Sequence, residues 1–384
     1  MKQRKLLGAG VVALTLAAGL ATTARASTDT TAPSGECETV DEISLRLQWA
    51  IQAQFAGYIA ARDTGIFERY CLDVEIIETG VDIVPQQDLA DGNVDFALAW
   101  VPKALQTREA GADIVNIAQI FQRSGTLQVS FADAGISSPE DFEGKNIGNW
   151  GFGNEYEIFA ALAQAGLDPA NDVSLVQQQF DMVGLLDGSI DAAEAMTYNE
   201  YAQVLEAVNP DTGELYTPED LSVISYEEVG VGMLQDALWA DESRLADEPE
   251  YVDIATRLVA ASIEGWVLCR DDPEQCRDLV VAAGSQLGSS HQLWQMNEIN
   301  KLIWPSPDGI GVTNADAWSR TVDIALNTPN LEGATVLTAE PSEGAYTNDI
   351  VTAAQALLPS DLDLTGDGFE PIPQADVLPA EGGA

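Results

Sequence analysis

Across the first two thirds of the chain, short apolar runs of β character alternate with stretches in which apolar residues recur at helical spacing. The pattern predicts strands over Ile43 to Trp49, Leu72 to Glu78, Val94 to Trp100 and Val115 to Phe121, with helices over Ala53 to Arg62, Val84 to Ala90 and Lys103 to Ala110 between them. Gly65, Gly92 and Gly111 sit where these elements should end. A second series begins at Thr126, with strands near Asn146 to Asn149, Val173 to Val176, Asp191 to Ala195 and Leu221 to Glu227. Its helices fall near Glu155 to Gln164, Phe180 to Asp187 and Asn199 to Val208. Such alternation implies mostly parallel sheets in an α/β fold. Beyond Glu227 the pattern changes to long helices, Glu250 to Leu268, Pro273 to Ala283, His291 to Leu302 and Ala315 to Ala325, with no strands between them. These suit a helical layer returning onto the first sheet.

The chain would then cross between two lobes twice, near Gly125 to Val129 and near Glu228 to Gly232. Two crossings make a hinge, and a cleft between hinged lobes suits capture of a small ligand. The expected division is a first lobe of residues 41–126 and 229–345, with a second lobe of residues 127–228 inserted in it.

The ends have a different composition. Lys2, Arg4 and Lys5 precede an apolar run from Leu6 to Ala21, and Ala24-Arg25-Ala26 offers a small-x-small cleavage site, so residues 1–26 read as a signal peptide and the mature protein as extracytoplasmic. Residues 27–40 read as a linker. Residues 359–384, acidic and rich in Pro and Gly, read as a disordered tail.

Export changes the reading of the four cysteines. An even set in an oxidising compartment favours disulfides over metal ligation, with Cys269 close enough to Cys276 to staple one helix to the next, and Cys37 left to pair with Cys71. The formal net charge is −45, and loss of Lys2, Arg4, Lys5 and Arg25 with the leader makes it more negative. Such a surface repels nucleic acid and anionic membranes. It also opposes an anionic ligand unless local cations such as Lys103, Arg123 or Lys145 offset it.

Catalytic schemes find little support. His291 is the one histidine of the sequence and lies in a predicted helix among Gln292, Trp294 and Gln295, away from any nucleophile motif. No phosphate-cradling glycine loop or histidine-rich metal spacing is present, so no catalytic residue, metal or cofactor is expected. Aromatic and amide residues do gather at the C-terminal ends of predicted strands, where open α/β sheets bind ligands. These are Trp49 with Gln52 and Phe55, Trp100, Trp150 with Asn154, and Tyr198 with Asn199 and Glu200. Rings from opposite lobes would sandwich a planar heterocycle while amides and Glu200 read its edge. Trp239, Trp266, Trp294 and Trp318, read as lying on helices, are expected to pack in the core.

The segments Leu47-Gln48-Trp49 through Gln52-Ala53-Gln54-Phe55-Ala56-Gly57-Tyr58, Asn116 to Gly125, and Ala195-Met196-Thr197-Tyr198-Asn199-Glu200-Tyr201 resemble the ThiY-type substrate-binding proteins of the nitrate, sulfonate and taurine binding family. The resemblance covers roughly Ile43 to Leu326. It implies the type II two-lobed periplasmic binding fold, a monomer that hands a thiamine pyrimidine precursor to an ABC transporter permease. Trp49 would stack on the pyrimidine, with Tyr198 and Glu200 facing it from the other lobe. Riboflavin importers use similar proteins, and Trp150-Gly151-Phe152-Gly153-Asn154-Glu155 suits that branch as well. Fungal pyrimidine synthases share the resemblance but depend on a histidine and a cysteine-rich iron motif that have no counterpart in this sequence.

Overall fold

The computed structural model describes residues 37–384, apart from Val81 and Phe152. The expected signal peptide and most of the expected linker lie outside the described residues. Among the described residues, ten strands form two five-stranded sheets. The first sheet is built from β1 (Asp41–Arg46), β2 (Leu72–Ile77), β3 (Phe96–Trp100), β4 (Ile114–Gln119) and, much later in the chain, β10 (Asp236–Asp241). The second contains β5 (Thr126–Phe131), β6 (Asn146–Asn149), β7 (Ser174–Gln177), β8 (Ala192–Met196) and β9 (Leu221–Ser225). Their orders, β2-β1-β3-β10-β4 and β7-β6-β8-β5-β9, are the same arrangement used twice. In each sheet the fourth position holds an antiparallel strand, and on that strand the chain arrives from the other sheet.

These two arriving strands were not predicted. Along β5, Thr126, Gln128 and Ser130 alternate with apolar residues, a pattern that reads as a wet strand or loop, yet all three are buried. Internal partners replace water. The Gln128 amide donates to the carbonyls of Gly148 and Ala192 and accepts from the Tyr226 hydroxyl. A buried polar group so satisfied costs little. On β10, Asp236 hides the strand in the same way. The crossings therefore run through residues 120–125 and 226–235, and what was expected as the first crossing is in part β5.

The helical layer packs on the first sheet through close backbone contact. Helix Ala56–Asp63 lies against helix Pro249–Asp271 at Gly57 and Gly265, where a Cβ on Gly265 would collide with the Gly57 carbonyl oxygen. Trp266 covers Gly57 and is fully buried, and Trp239, Trp294 and Trp318 are buried too, Trp239 on strand β10 and not on a helix as expected, because that strand was hidden. The cysteines pair as expected: Cys37–Cys71 ties the chain before β1 to the residue before β2, and Cys269–Cys276 ties helix Pro249–Asp271 to helix Pro273–Ala282.

The tail does not match its expected disorder. Ile372 exchanges two main-chain hydrogen bonds with the Asn297 side chain, the Ala380 amide donates to Ser290 Oγ, and the Gly382 amide donates to the Glu206 carbonyl. Val377 is buried in a cluster that includes Trp294 and Leu127, with Ile372 packed against it. Sparse apolar anchors, spaced too widely to register as a periodic pattern, hold this acidic segment down.

Candidate functional site

Strand ends place the site. β1 runs into Gln48 and Trp49; β3 ends at Trp100, which precedes helix Val101–Glu109; β6 runs into Trp150; β8 runs into Tyr198, Asn199 and Glu200 at the start of helix Glu200–Leu205. All seven line one cavity of about 460 Å³ between the sheets, and Gln52 and Asn154 join them. Phe55 does not. It is fully buried in the core beneath its helix, and its neighbour Gln54 faces the cavity instead.

Phe180, read from sequence as a helix start, completes the aromatic wall. Its ring lies 5.1 Å from Trp49 at 48° and 5.9 Å from Trp150 at 22°, so one ring from the second sheet's side bridges the cleft. It is exposed, as are Ile83 and Val84 on the opposite rim. Exposure of a large apolar side chain beside a cavity is the signal that identifies it.

The first-sheet wall is set by a residue that sequence reasoning missed. Asp236 accepts hydrogen bonds from Gln48 Nε2 at 2.9 Å, Gln54 Nε2 at 3.0 Å and Trp100 Nε1 at 2.9 Å. Gln52 in turn donates to Gln54 Oε1 at 2.7 Å. Three cavity-lining side chains are thereby held from behind by one carboxylate. Burial pushes the Asp236 carboxyl up to about 7, although those donors pull the other way.

Across the cleft, Glu200 accepts from the Met196 amide at 2.9 Å and from Asn199 Nδ2 at 2.8 Å, and burial raises its carboxyl above the usual range. Each oxygen keeps a lone pair for a donor in the cavity. Behind it, Asn199 Oδ1 lies 3.0 Å from His291 Nε2, and His291 Nδ1 lies 2.5 Å from Glu206 Oε1. His291 is wholly buried and outside the cavity lining, so it braces Asn199 rather than meeting a ligand. Glu194 on β8 accepts from the Trp150 amide at 2.7 Å, and burial raises its carboxyl well above the usual range. Lys103 crosses the cleft, its Nζ 2.7 Å from Asn154 Oδ1 and 4.9 Å above the Trp100 ring. Burial lowers its ammonium to about 8 against the pull of Glu194, Glu155 and Asp236.

Two sheets of this order with a lined cleft between them define the two-lobed periplasmic-binding-protein fold, type II. The chain superimposes on a periplasmic sulfonate-binding protein of Methylobacillus flagellatus KT with a TM-score of 0.61 at 16% identity, covering 88% of this chain and 98% of that one. The fold also hosts chemistry, since a desulfurization enzyme, DszB, matches with a TM-score of 0.53 at 12% identity over 82% of this chain and 99% of its own. More specifically, the chain belongs to the NMT1/THI5 like family, whose profile matches residues 52–276. It is similar to a formylaminopyrimidine-binding protein of Halalkalibacterium halodurans, 22% identical over 292 residues, 74% of this chain and 84% of the relative. A Haemophilus influenzae protein named for thiamine biosynthesis is 27% identical over 190 residues, and the match spans 49% of this chain and 60% of that relative's length.

Proposed function

We propose that this protein is the extracytoplasmic substrate-binding component of an ABC importer and that its ligand is a planar heterocycle, a thiamine pyrimidine precursor such as hydroxymethylpyrimidine or formylaminopyrimidine. The observation that carries this reading is the aromatic wall, in which Phe180 meets Trp49 from across the cleft and stacks on Trp150, with Glu200 among the residues lining the same cavity. Aromatic faces hold a flat ring, and a carboxylate with free lone pairs takes an exocyclic amine. The name of the Halalkalibacterium relative supports the pyrimidine over other flat rings. Binding joins both lobes, shifts the open and closed populations, and presents a closed form to a permease.

The test is a calorimetric titration with hydroxymethylpyrimidine, formylaminopyrimidine and riboflavin, followed in parallel by tryptophan fluorescence. Saturable binding of a pyrimidine with no response to riboflavin supports the proposal. Tight binding of riboflavin alone moves the protein to a flavin importer, and silence from all three removes the heterocycle.

A further inference from the structure

Most of the described lysines and arginines have a carboxylate partner; Lys103, Arg123 and Lys145 do not. Arg123 is engaged by the carbonyls of Lys301, Trp304 and Pro305, and Lys145 donates to the Ala134 carbonyl. Neither lines the cavity, so Lys103 is its one cationic side chain among the described residues. An ammonium has three donors. One goes to Asn154; the Trp100 face answers the charge but accepts no ordinary hydrogen bond, which leaves donor capacity at the cavity wall.

The nearby acids do not neutralise it by contact. Asp236 is occupied by Gln48, Gln54 and Trp100, Glu155 accepts from the Gly153 amide, and Glu200 bonds Met196 and Asn199; Glu194 accepts from the Trp150 amide through one oxygen, while its other oxygen is buried without a hydrogen-bond partner and makes no bond to Lys103. Lys103 also lies in the first turn of helix Val101–Glu109, whose N-terminal partial charge has the same sign. In a chain with a net charge of −45, Lys103 places one positive charge in the cavity wall without an ion-pair contact, although Glu194, Glu155 and Asp236 act on it from a distance. The cavity, at about 460 Å³, also has the size of a drug-like ligand, larger than a lone six-membered ring requires.

We propose that Lys103 is the counter-charge for an anionic substituent, a phosphate ester or a carboxylate, carried on a heterocycle whose ring lies against Trp49, Phe180 and Trp150. This rests on the heterocycle reading above and adds the second pole of the ligand. The protein then discriminates the charged form of its ligand from the neutral one.

The test compares hydroxymethylpyrimidine with its phosphate monoester and with the matching pyrimidine 5-carboxylate, titrated into the full-length mature protein and into Lys103→Met and Lys103→Arg. Wild type is expected to favour at least one anion over the alcohol by about tenfold or more, the value of one charge-assisted hydrogen bond. The preference should shrink in high salt, vanish in Lys103→Met and survive in Lys103→Arg; the anion with the larger preference identifies the group. Equal binding of alcohol and anions by wild type overturns the proposal and leaves the heterocycle reading standing. A Lys103→Met protein that weakens all three ligands equally also overturns it, making Lys103 a tie to Asn154. If none of the three binds to wild type, the heterocycle reading and this proposal fall together.

Discussion

Gln235 and Asp236 are consecutive residues that serve the two sides of the hinge. Gln235 accepts from the Gly125 amide at 2.9 Å and donates to Thr126 Oγ1 at 2.8 Å and Ser124 Oγ at 3.2 Å, binding the returning crossing to the outgoing one. Asp236 collects the cavity donors Gln48, Gln54 and Trp100, and its own carbonyl accepts from the Ile120 and Phe121 amides. One dipeptide therefore links the crossings to the cavity wall formed by Gln48, Gln54 and Trp100.

Asp236→Asn turns an acceptor into a group with two donors facing three others. At least one buried N–H is left unpaired, at a cost of about 1–3 kcal/mol. Urea denaturation should show that loss, and calorimetry should show weaker ligand binding, because Gln48 and Gln54 lose their fixed orientation. Unchanged binding at reduced stability would confine Asp236 to the fold.

Trp49→Ala and Phe180→Ala should each weaken heterocycle binding by about 1 kcal/mol or more, the worth of an aromatic pair beyond its area. Phe55→Leu should leave affinity nearly unchanged, since that ring lies in the core. Equal effects at positions 49 and 55 would count against the aromatic wall.

Glu157 gives a pH signature. Its Oε1 accepts from the Met233 amide at 2.6 Å beside the hinge, and burial pushes the carboxyl up to about 7. The folded state thus keeps a proton that the unfolded chain releases near 4.5. This stabilisation is complete below the unfolded value and is lost as pH rises through about 7. Glu157→Gln keeps the carbonyl acceptor and removes the titration. The stability difference between variant and wild type should therefore move in the variant's favour between pH 5 and 8, by up to about 3 kcal/mol. A difference that stays flat with pH would refute it.

The two disulfides should differ in worth. Cys37–Cys71 closes a sequence separation of 34 and Cys269–Cys276 one of 7, so loop entropy assigns about 4 and about 2.5 kcal/mol respectively. Paired serine variants compared by chemical denaturation should rank in that order.

The cavity-lining residues were legible because they follow strands whose apolar runs are plain: Trp49 after β1, Trp150 after β6, Tyr198 to Glu200 after β8. The hinge was not. β5 and β10 carry Thr126, Gln128, Ser130 and Asp236 in buried positions, and local pattern cannot distinguish a polar residue satisfied by the other crossing from one facing water. Phe55 misled for the opposite reason. Its place beside Gln52 and Gln54 suggested the cleft, but in the turn leading into helix Ala56–Asp63 the backbone directs Gln54 and Phe55 to different sides. Asp236 and Phe180 needed three dimensions, one because its strand was hidden and the other because its partners come from different sheets.

The C-terminal segment adds a mechanical restraint. A body joined to another by two links swings about the line through them. Here residues 372–382 run from Asn297 and Ser290, on a helix packed against the first sheet's layer, to the Glu206 carbonyl beside the second sheet. That is a further tether, beside the bonds from Trp294 to the Thr197 carbonyl and from His291 to Asn199 and Glu206 that already join this helix to the second sheet's side. Parting the lobes would have to strain or break this tie as well, so a label or fusion joined at Ala384 is expected to load it directly, whereas one on the exposed Asp211 to Glu214 turn is expected to leave it alone.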